Sequence, residues 1–390
     1  MAVASRFYTP ATSQTLPADS PQKSVGDAIS WSFTAITNTM PDNAADQYSE
    51  IRAIGEAVAP FFWGVDVGGT GIKLGLVDNE GHTVSFTKIS TQEAEGGPAA
   101  VERIGEIVAS VEAELDVVGS VPAIGLGAPG PMDLKLGTLV APPQLPSWWG
   151  FAIVEAMQKR TNRPIFFLND ANAAAYGEFW LGPGKASESM VLLTLGTGVG
   201  GGIIVHDELV NGVNSFGSEC GHILVDASPT ARLCVWGGGR GQLEAYASAS
   251  GVVARTLERL TEGAESTLSG HLGGENHELT AKRVYEAAKN QQDPLALEIV
   301  DETGKWLGIG ITTLVHALDP GVVTLGGAMN FGGADCPIGQ RFLAAITKEF
   351  RSRAFENVFD GTSIQFATLG PAAGYLGLAG YAKKQASKAT

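Results

Sequence analysis

Two glycine-rich turns carry residues whose types and spacing suit phosphate binding. In the first, Asp66-Val67-Gly68-Gly69-Thr70-Gly71-Ile72-Lys73 joins two apolar strands. Glycines at such a turn let backbone N–H groups approach a phosphate, and Thr70 and Lys73 add a hydroxyl and a cation. A strand follows the glycines directly, so neither the Rossmann fingerprint nor the Walker loop applies, because both need a helix there. A plain glycine hairpin is the alternative, although it explains Asp66 less well.

The second turn repeats this design later in the chain. Residues 190–208 again have the pattern of a strand, a Gly/Thr turn, a strand and a polar turn, with Gly196-Thr197-Gly198 at the centre. An internal repeat of this kind indicates a duplicated α/β domain in which the two glycine turns face each other across a cleft. Two facing turns suit a polyphosphate tail better than one turn does.

Asp170 lies between the two repeats. The apolar run Phe166-Phe167-Leu168 predicts a strand that delivers Asn169 and Asp170 to the start of an alanine-rich helix. A lone aspartate before a helix is often an N-cap that accepts a backbone N–H bond, and we predict that Asp170 caps this helix. Any chemical role for the carboxylate depends on what surrounds it.

The elements that must position these residues alternate between helices and strands, which indicates α/β layers. The strand Val322–Leu325 ends in Gly326-Gly327, a third glycine turn of the kind on which a flat adenine can lie. Other predicted elements are strands at 83–89 and 123–128, a short helix at 47–58, and helices at 99–115, 151–161, 281–289, 294–300, 303–318 and 372–384.

Composition excludes several classes of function. The 390 residues are 44% apolar and 17% charged, enough to bury the cores of two or three domains. The net charge of −15 argues against nucleic acid as the main partner. Three scattered cysteines fit a reducing compartment, and no long apolar run or secretory signal is present, so we predict a cytoplasmic protein without a membrane partner.

These landmarks, from about residue 61 to 385, resemble those of the ROK family of sugar kinases. The resemblance implies an actin-like, hexokinase-like fold, a duplicated ribonuclease H-like pair of α/β domains with a cleft between them. The expected parts are a mostly flexible extension (1–60), a smaller domain (61–168) against which the C-terminal helix (372–388) packs back, and a larger domain (169–371).

The family's motifs assign roles by resemblance. Asp170 matches the catalytic base. The matches to sugar ligands are Asn169, Glu219, His222, Glu244 and Gly130. The matches to ATP-binding residues are Asp66, Gly68, Gly69, Thr70, Lys73, Gly196, Thr197, Gly198, Gly326 and Gly327, with Asp66 near Mg²⁺.

One segment departs from the family pattern. The family's structural zinc uses one His and three Cys, and here only His222 and Cys234 match. Trp236 and Gln242 occupy the places expected for the other two thiolates, and Cys220 is a weak substitute. Two protein ligands do not close a tetrahedral zinc site, so we predict that no structural zinc is bound.

The resemblance implies phosphorylation of a hexose by ATP with Mg²⁺, most simply glucose to glucose 6-phosphate, in a homodimer. Fructose, mannose, allose and N-acetylhexosamines are alternative substrates. A polyphosphate-using kinase and a sugar-sensing repressor are rival functions. The net charge disfavours the polyphosphate-using kinase, and the acidic, unpatterned N-terminal extension disfavours the repressor.

Overall fold

The protein is described by a computed structural model, which covers residues 50–234, 239–271 and 279–388. The predicted extension before residue 50 lies outside the described residues, as does Trp236, which occupies the place expected for a zinc-binding cysteine. Within residues 50–58 the expected helix is absent, and only a 3₁₀ turn forms at Ile54–Glu56. The physical reason is pairing with the neighbouring hairpin, because Arg52 N–H donates to Thr83 O and Val58 N–H to the buried carboxylate of Asp78.

The first sheet has five strands, and a small two-stranded hairpin precedes its last strand. In chain order the strands are β1 (Phe62–Val67), β2 (Gly71–Val77), β3 (Thr83–Ser90), β4 (Ile124–Ala128), the hairpin strands β5 (Met132–Asp133) and β6 (Thr138–Leu139), and β7 (Ile165–Asn169). The order across the sheet is β3-β2-β1-β4-β7. Strands β2 and β3 run antiparallel to their neighbours, whereas β4 and β7 run parallel to β1.

The second sheet repeats the first in both order and direction. Its strands are β8 (Met190–Leu195), β9 (Val199–Val205), β10 (Glu208–Leu209), β11 (Val322–Gly326) and β12 (Ser363–Phe366). Their order is β10-β9-β8-β11-β12, with an antiparallel meander followed by two parallel strands. The duplicated α/β architecture predicted from the two glycine turns is therefore confirmed.

The helices cover both sheets and largely follow the predicted pattern. They are α1 (Gly96–Glu114), α2 (Ile153–Thr161), α3 (Asp170–Trp180), α4 (Leu243–Ala247), α5 (Ala249–Thr261), α6 (Ala281–Gln291), α7 (Pro294–Leu318), α8 (Pro337–Arg353), α9 (Glu356–Gly361) and α10 (Ala373–Lys388). The prediction of two helices at 294–300 and 303–318 was wrong, because α7 is continuous. No proline or glycine interrupts it at Asp301-Glu302, and the Thr303 hydroxyl bonds back to Ile299 O within the helix. No helix among the described residues is long and apolar enough to cross a bilayer.

Helix α10 packs at unusually close range against the first sheet and α3. Gly64 of β1 lies against the Tyr375 backbone, and a methyl group there would overlap the Tyr375 carbonyl. Gly377 of α10 lies against α3, where a methyl group would overlap the Ala173 carbonyl oxygen. Because α3 begins at Asp170, the backbone contact with α10 fixes the position of that residue.

Separate apolar cores support the two sheets. Trp63 and Trp148 are almost fully buried in the first core, and Leu307 and Phe342 in the second. Trp148 therefore packs inside the protein and is not exposed to a ligand. Its neighbour Trp149 is half exposed and donates its indole N–H to Pro142 O.

Candidate functional site

A cavity of about 520 Å³ brings together residues from distant parts of the sequence. The predicted site residues that line it are Asp170, Gly196, Thr197, Gly198, Glu219, His222, Glu244 and Gly327. The other lining residues, which were not among the predicted site residues, are Gln144, Ala171, Thr194, Leu195, Val199, Gly200 and Ala328. The predicted residues outside this lining are Asn169, Gly130, Asp66, Gly68, Gly69, Thr70, Lys73 and Gly326.

Asn169, rather than Asp170, caps helix α3, so the capping prediction for Asp170 was wrong. Asn169 ends β7 in extended conformation, and its Oδ1 accepts the Asn172 N–H at 2.7 Å. Asp170 is the first residue of the helix, and its Oδ1 accepts the adjacent Ala171 N–H at 2.9 Å. The cap one residue earlier leaves the Asp170 carboxylate free to face the cavity.

The surroundings of Asp170 raise the pKa of its carboxyl group above the usual aspartate value. The largest cause is loss of hydration, because protein atoms crowd the carboxyl group even though one side is open to the cavity. The Ala171 N–H opposes this shift, whereas the negative charges of Asp66 and Glu219 add to it. A carboxylate with a raised pKa is a stronger proton acceptor, as a general base requires.

The first glycine turn, residues 68–71, lies beside the cavity without lining it. Its shape is held by Gly68 N–H to Gly71 O and by the Thr91 hydroxyl to Gly68 O at 2.6 Å. Gly69 packs against Gln144, which does line the cavity. The first glycine turn therefore contacts the lining of the cavity through Gln144, which belongs to no recognisable sequence motif.

Asp66 and Lys73 face each other across β1 and β2. Lys73 Nζ lies 3.5 Å from Asp66 Oδ2 and also donates to Pro371 O at 3.1 Å. Burial nevertheless outweighs the lysine, so the pKa of Asp66 is raised. A partly buried carboxylate whose charge is incompletely balanced fits a hard divalent cation.

The second glycine turn, residues 196–198, is locked to its neighbours through its backbone. Gly196 O accepts the Ala249 N–H, and Thr197 O accepts the Ser250 hydroxyl. Gly327, with φ of 91°, folds the turn after β11 against the end of β8, where a side chain would overlap Leu195. An added Cβ at Gly196 would meet no atom within 4 Å, so its backbone is open to a ligand.

A second cavity of about 560 Å³ adjoins the first through Gly196, Thr197 and Ala328. Its walls are mainly apolar and include Ala249 and the start of α6. The remaining lining residues are Thr280, Ala281, Lys282, Tyr285, Met329, Asn330, Phe331 and Gly332. A mainly apolar cavity next to a glycine turn of a kind that suits phosphate would accommodate a nucleoside base. The sequence predicted a helix at 281–289, which corresponds to α6, but not its place beside this turn.

Glu219, His222 and Glu244 lie together and form one wall of the cavity that Asp170 also lines. Burial raises the pKa of Glu219, the charge of Glu244 raises it further, and His222 opposes the shift. Glu244 is buried, and its Oε2 accepts the Val199 N–H at 2.9 Å. Two carboxylates and an imidazole in one wall suit a ligand with several hydroxyl groups.

The predicted loss of zinc stays a prediction. Cys234 donates its thiol to Glu244 Oε1 at 3.2 Å, and burial raises the pKa of Cys220 to about 12. Among the described residues, only Asp78, Glu80 and His82 form a group of three possible metal ligands. The Arg52 guanidinium already lies 3.8 Å from Asp78 and 3.4 Å from Glu80.

Known proteins resemble this chain over nearly all of its described residues. The ROK family model matches residues 62–385. A glucokinase of Halalkalibacterium halodurans is 35% identical over 331 residues, which are 83% of this chain and 96% of that protein.

Two solved structures share the architecture. The ROK hexokinase from Thermus thermophilus has a TM-score of 0.71 at 30% identity, covering 84% of this chain and 99% of that chain. A ROK family glucokinase from Streptomyces griseus, in complex with glucose and AMPPNP, has a TM-score of 0.62 at 32% identity, covering 83% and 99%. The predicted actin-like, hexokinase-like fold is thus confirmed. The chain belongs to the ROK family.

Proposed function

We propose that this sugar kinase transfers the γ-phosphoryl group of ATP to O6 of glucose, with Asp170 as general base. The observation that carries the proposal is the single cavity that joins Asp170, the glycine turn 196–198 and the wall formed by Glu219, His222 and Glu244. The similarity to glucokinases, one of them bound to glucose and AMPPNP, supports glucose as the acceptor.

In this proposal the wall of Glu219, His222 and Glu244 binds the sugar hydroxyls, and Asn169 and Gly130 complete the sugar site. Carboxylates accept hydrogen bonds from hydroxyl groups, and an imidazole can donate or accept. The wall therefore fixes the ring so that the remaining primary hydroxyl lies near Asp170.

The nucleotide occupies the two adjoining cavities. The apolar cavity beside α6 receives the base, next to Gly326 and Gly327, while Gly196, Thr197 and Gly198 bind the phosphates. Gly68, Gly69, Thr70 and Lys73 approach from the first half. We propose 61–168 and 169–371 as the two domains, with α10 belonging to the first.

Asp66 would hold Mg²⁺, which supplies positive charge to the phosphates when bound. The raised pKa of Asp66 and its incomplete pairing with Lys73 support this assignment. A homodimeric assembly and a cytoplasmic location also stay predictions.

The proposed reaction moves one proton, from the sugar hydroxyl to Asp170, together with the phosphoryl group. Asp170 accepts the proton of O6 as the O6–Pγ bond forms and the bond from Pγ to the bridging oxygen of ADP breaks. Alignment and charge stabilisation provide most of the rate enhancement, because phosphoryl transfer needs little covalent chemistry from the protein. The protonated Asp170 then releases its proton to water.

A coupled assay of ADP release across glucose, mannose, fructose, allose and N-acetylhexosamines tests the substrate. We expect glucose to give the largest kcat/KM. A different best sugar would leave the kinase chemistry intact and replace glucose as substrate. If no hexose causes ADP release but polyphosphate supports glucose 6-phosphate formation, polyphosphate would replace ATP as the proposed donor. A mobility-shift assay with genomic DNA tests the repressor alternative, and we expect no shift.

The raised pKa of Asp170 predicts an acidic limb in the pH profile of kcat/KM for glucose. The base works only when deprotonated, so activity falls as pH drops through its pKa, which lies above the ordinary aspartate value. Glu219→Gln removes a negative charge that raises this pKa, so the limb should move to lower pH in that variant. A limb that stays in place, or moves to higher pH, would contradict the assignment of Asp170.

A further inference from the structure

We infer that Cys234 is a positioning residue, whose thiol orients the Glu244 carboxylate for binding the sugar. The inference rests on the proposed function and adds a residue to its sugar site. Cys234 does not line the cavity and would act only through Glu244.

The geometry fixes both oxygens of the Glu244 carboxylate. Oε2 accepts the Val199 N–H at 2.9 Å, and Oε1 accepts the Cys234 thiol at 3.2 Å. The two donors come from different elements, since Val199 begins β9 and Cys234 lies in the segment before α4. Rotation of the carboxylate would break one or both bonds.

Burial makes these two bonds important. Glu244 is 5% exposed and Cys234 is 2% exposed, so water cannot readily replace a lost donor. A thiol is a weak donor, but hydrogen bonds to a charged acceptor are stronger than those between neutral groups. Because a carboxylate can only accept, the thiol must keep its proton in this contact.

The lone pairs of the Glu244 carboxylate that these two bonds leave free are available to a ligand in the cavity. Each carboxylate oxygen has two lone pairs, and one on each is already occupied by Val199 or Cys234. One lone pair per oxygen is left for the sugar, in a direction set by the two protein donors. Loss of the thiol should therefore weaken sugar binding more than it alters the chemical step at Asp170.

Three substitutions separate hydrogen bonding from packing. Cys234→Ala removes the donor and some volume, Cys234→Val removes the donor but fills the space, and Cys234→Ser keeps a donor. We expect the Ala and Val variants to raise the glucose KM about 10-fold, the order of effect of a hydrogen bond to a charged group. Their kcat and ATP KM should stay near the wild-type values. The Ser variant should recover most of the loss.

Cys336→Ala is the matched control. It also removes a buried thiol, but that thiol lies 3.4 Å from the Tyr285 hydroxyl and makes no hydrogen bond to Glu219 or Glu244 among the described residues. We expect its glucose KM to equal that of the wild type.

A double-mutant cycle provides the deciding measurement. If Cys234 acts through Glu244, replacing Cys234 by Ala in a Glu244→Ala background should change the glucose KM by less than about twofold, because the group that accepts the thiol is already gone. Full additivity, an unchanged KM in both Ala and Val variants, or a Ser variant as weak as Ala would each overturn the inference. Calorimetric titration of the wild type with glucose tests the proposed function separately from the role of Cys234. If the wild type does not bind glucose, the proposed function itself is wrong.

Discussion

Asp170→Asn is expected to lower kcat by a factor of about 10² or more, the usual contribution of a positioned general base. Asparagine keeps the size of the side chain and can still accept the Ala171 N–H, so α3 and the sugar wall should be unchanged. The glucose KM should therefore stay within a few fold of the wild type. Steady-state ADP release and glucose titration measure the two effects separately.

Asp319→Asn is a matched control for this experiment, because it also replaces an aspartate by its amide. Asp319 is exposed at the end of α7 in a left-handed conformation that asparagine adopts readily. Its turnover should equal that of the wild type. Turnover by Asp170→Asn close to that of this control would rule out Asp170 as the base.

Gly377→Ala is expected to destabilise the protein by about 3 kcal/mol, at the upper end of the usual cost of overpacking. The added methyl group would overlap the Ala173 carbonyl oxygen and crowd the Gly177 backbone N–H, neither of which can rotate away. Helix α10 must then move off α3. We expect the midpoint of thermal unfolding to fall by roughly 4 °C, the shift that about 3 kcal/mol produces in a chain of this length.

Gly361→Ala is the control, because it places the same methyl group at the end of α9 with no atom within 4 Å of the new Cβ. Its thermal midpoint should change by at most a degree or two. If Gly377→Ala unfolds at the temperature of this control, the contact between α3 and α10 is looser than the structure indicates.

Local patterns in the sequence predicted the two meanders, their glycine turns and the strand that leads to Asp170. These features are encoded by neighbouring residues, such as the apolar run 166–168 followed by a good helix former. Several errors were also local. Asn169 and Asp170 are about equally good N-caps, so the choice between them depended on where β7 ends.

Contacts between distant segments could not be predicted in the same way. Gln144 carries no motif, and only the fold places it between Gly69 and the cavity. Likewise, Lys282 and Asn330 meet Thr197 around the second cavity although long stretches of chain separate them. The sequence motif relates Cys234 to a zinc site, so it gave no indication of the hydrogen bond from Cys234 to Glu244. Sequence patterns report local periodicity, whereas these contacts depend on how the two sheets are placed.

The contact between α10 and the first sheet also orders the assembly of the enzyme during synthesis. Strands β1 and β4 and helix α3 leave the ribosome long before residues 373–388, which cover them. Until that last helix is made, the glycine-lined face of the first sheet has no partner, and α3 lacks the surface that fixes Asp170. The first half of the fold is thus completed only when α10 docks, and α3 gains at the same step the surface that positions Asp170.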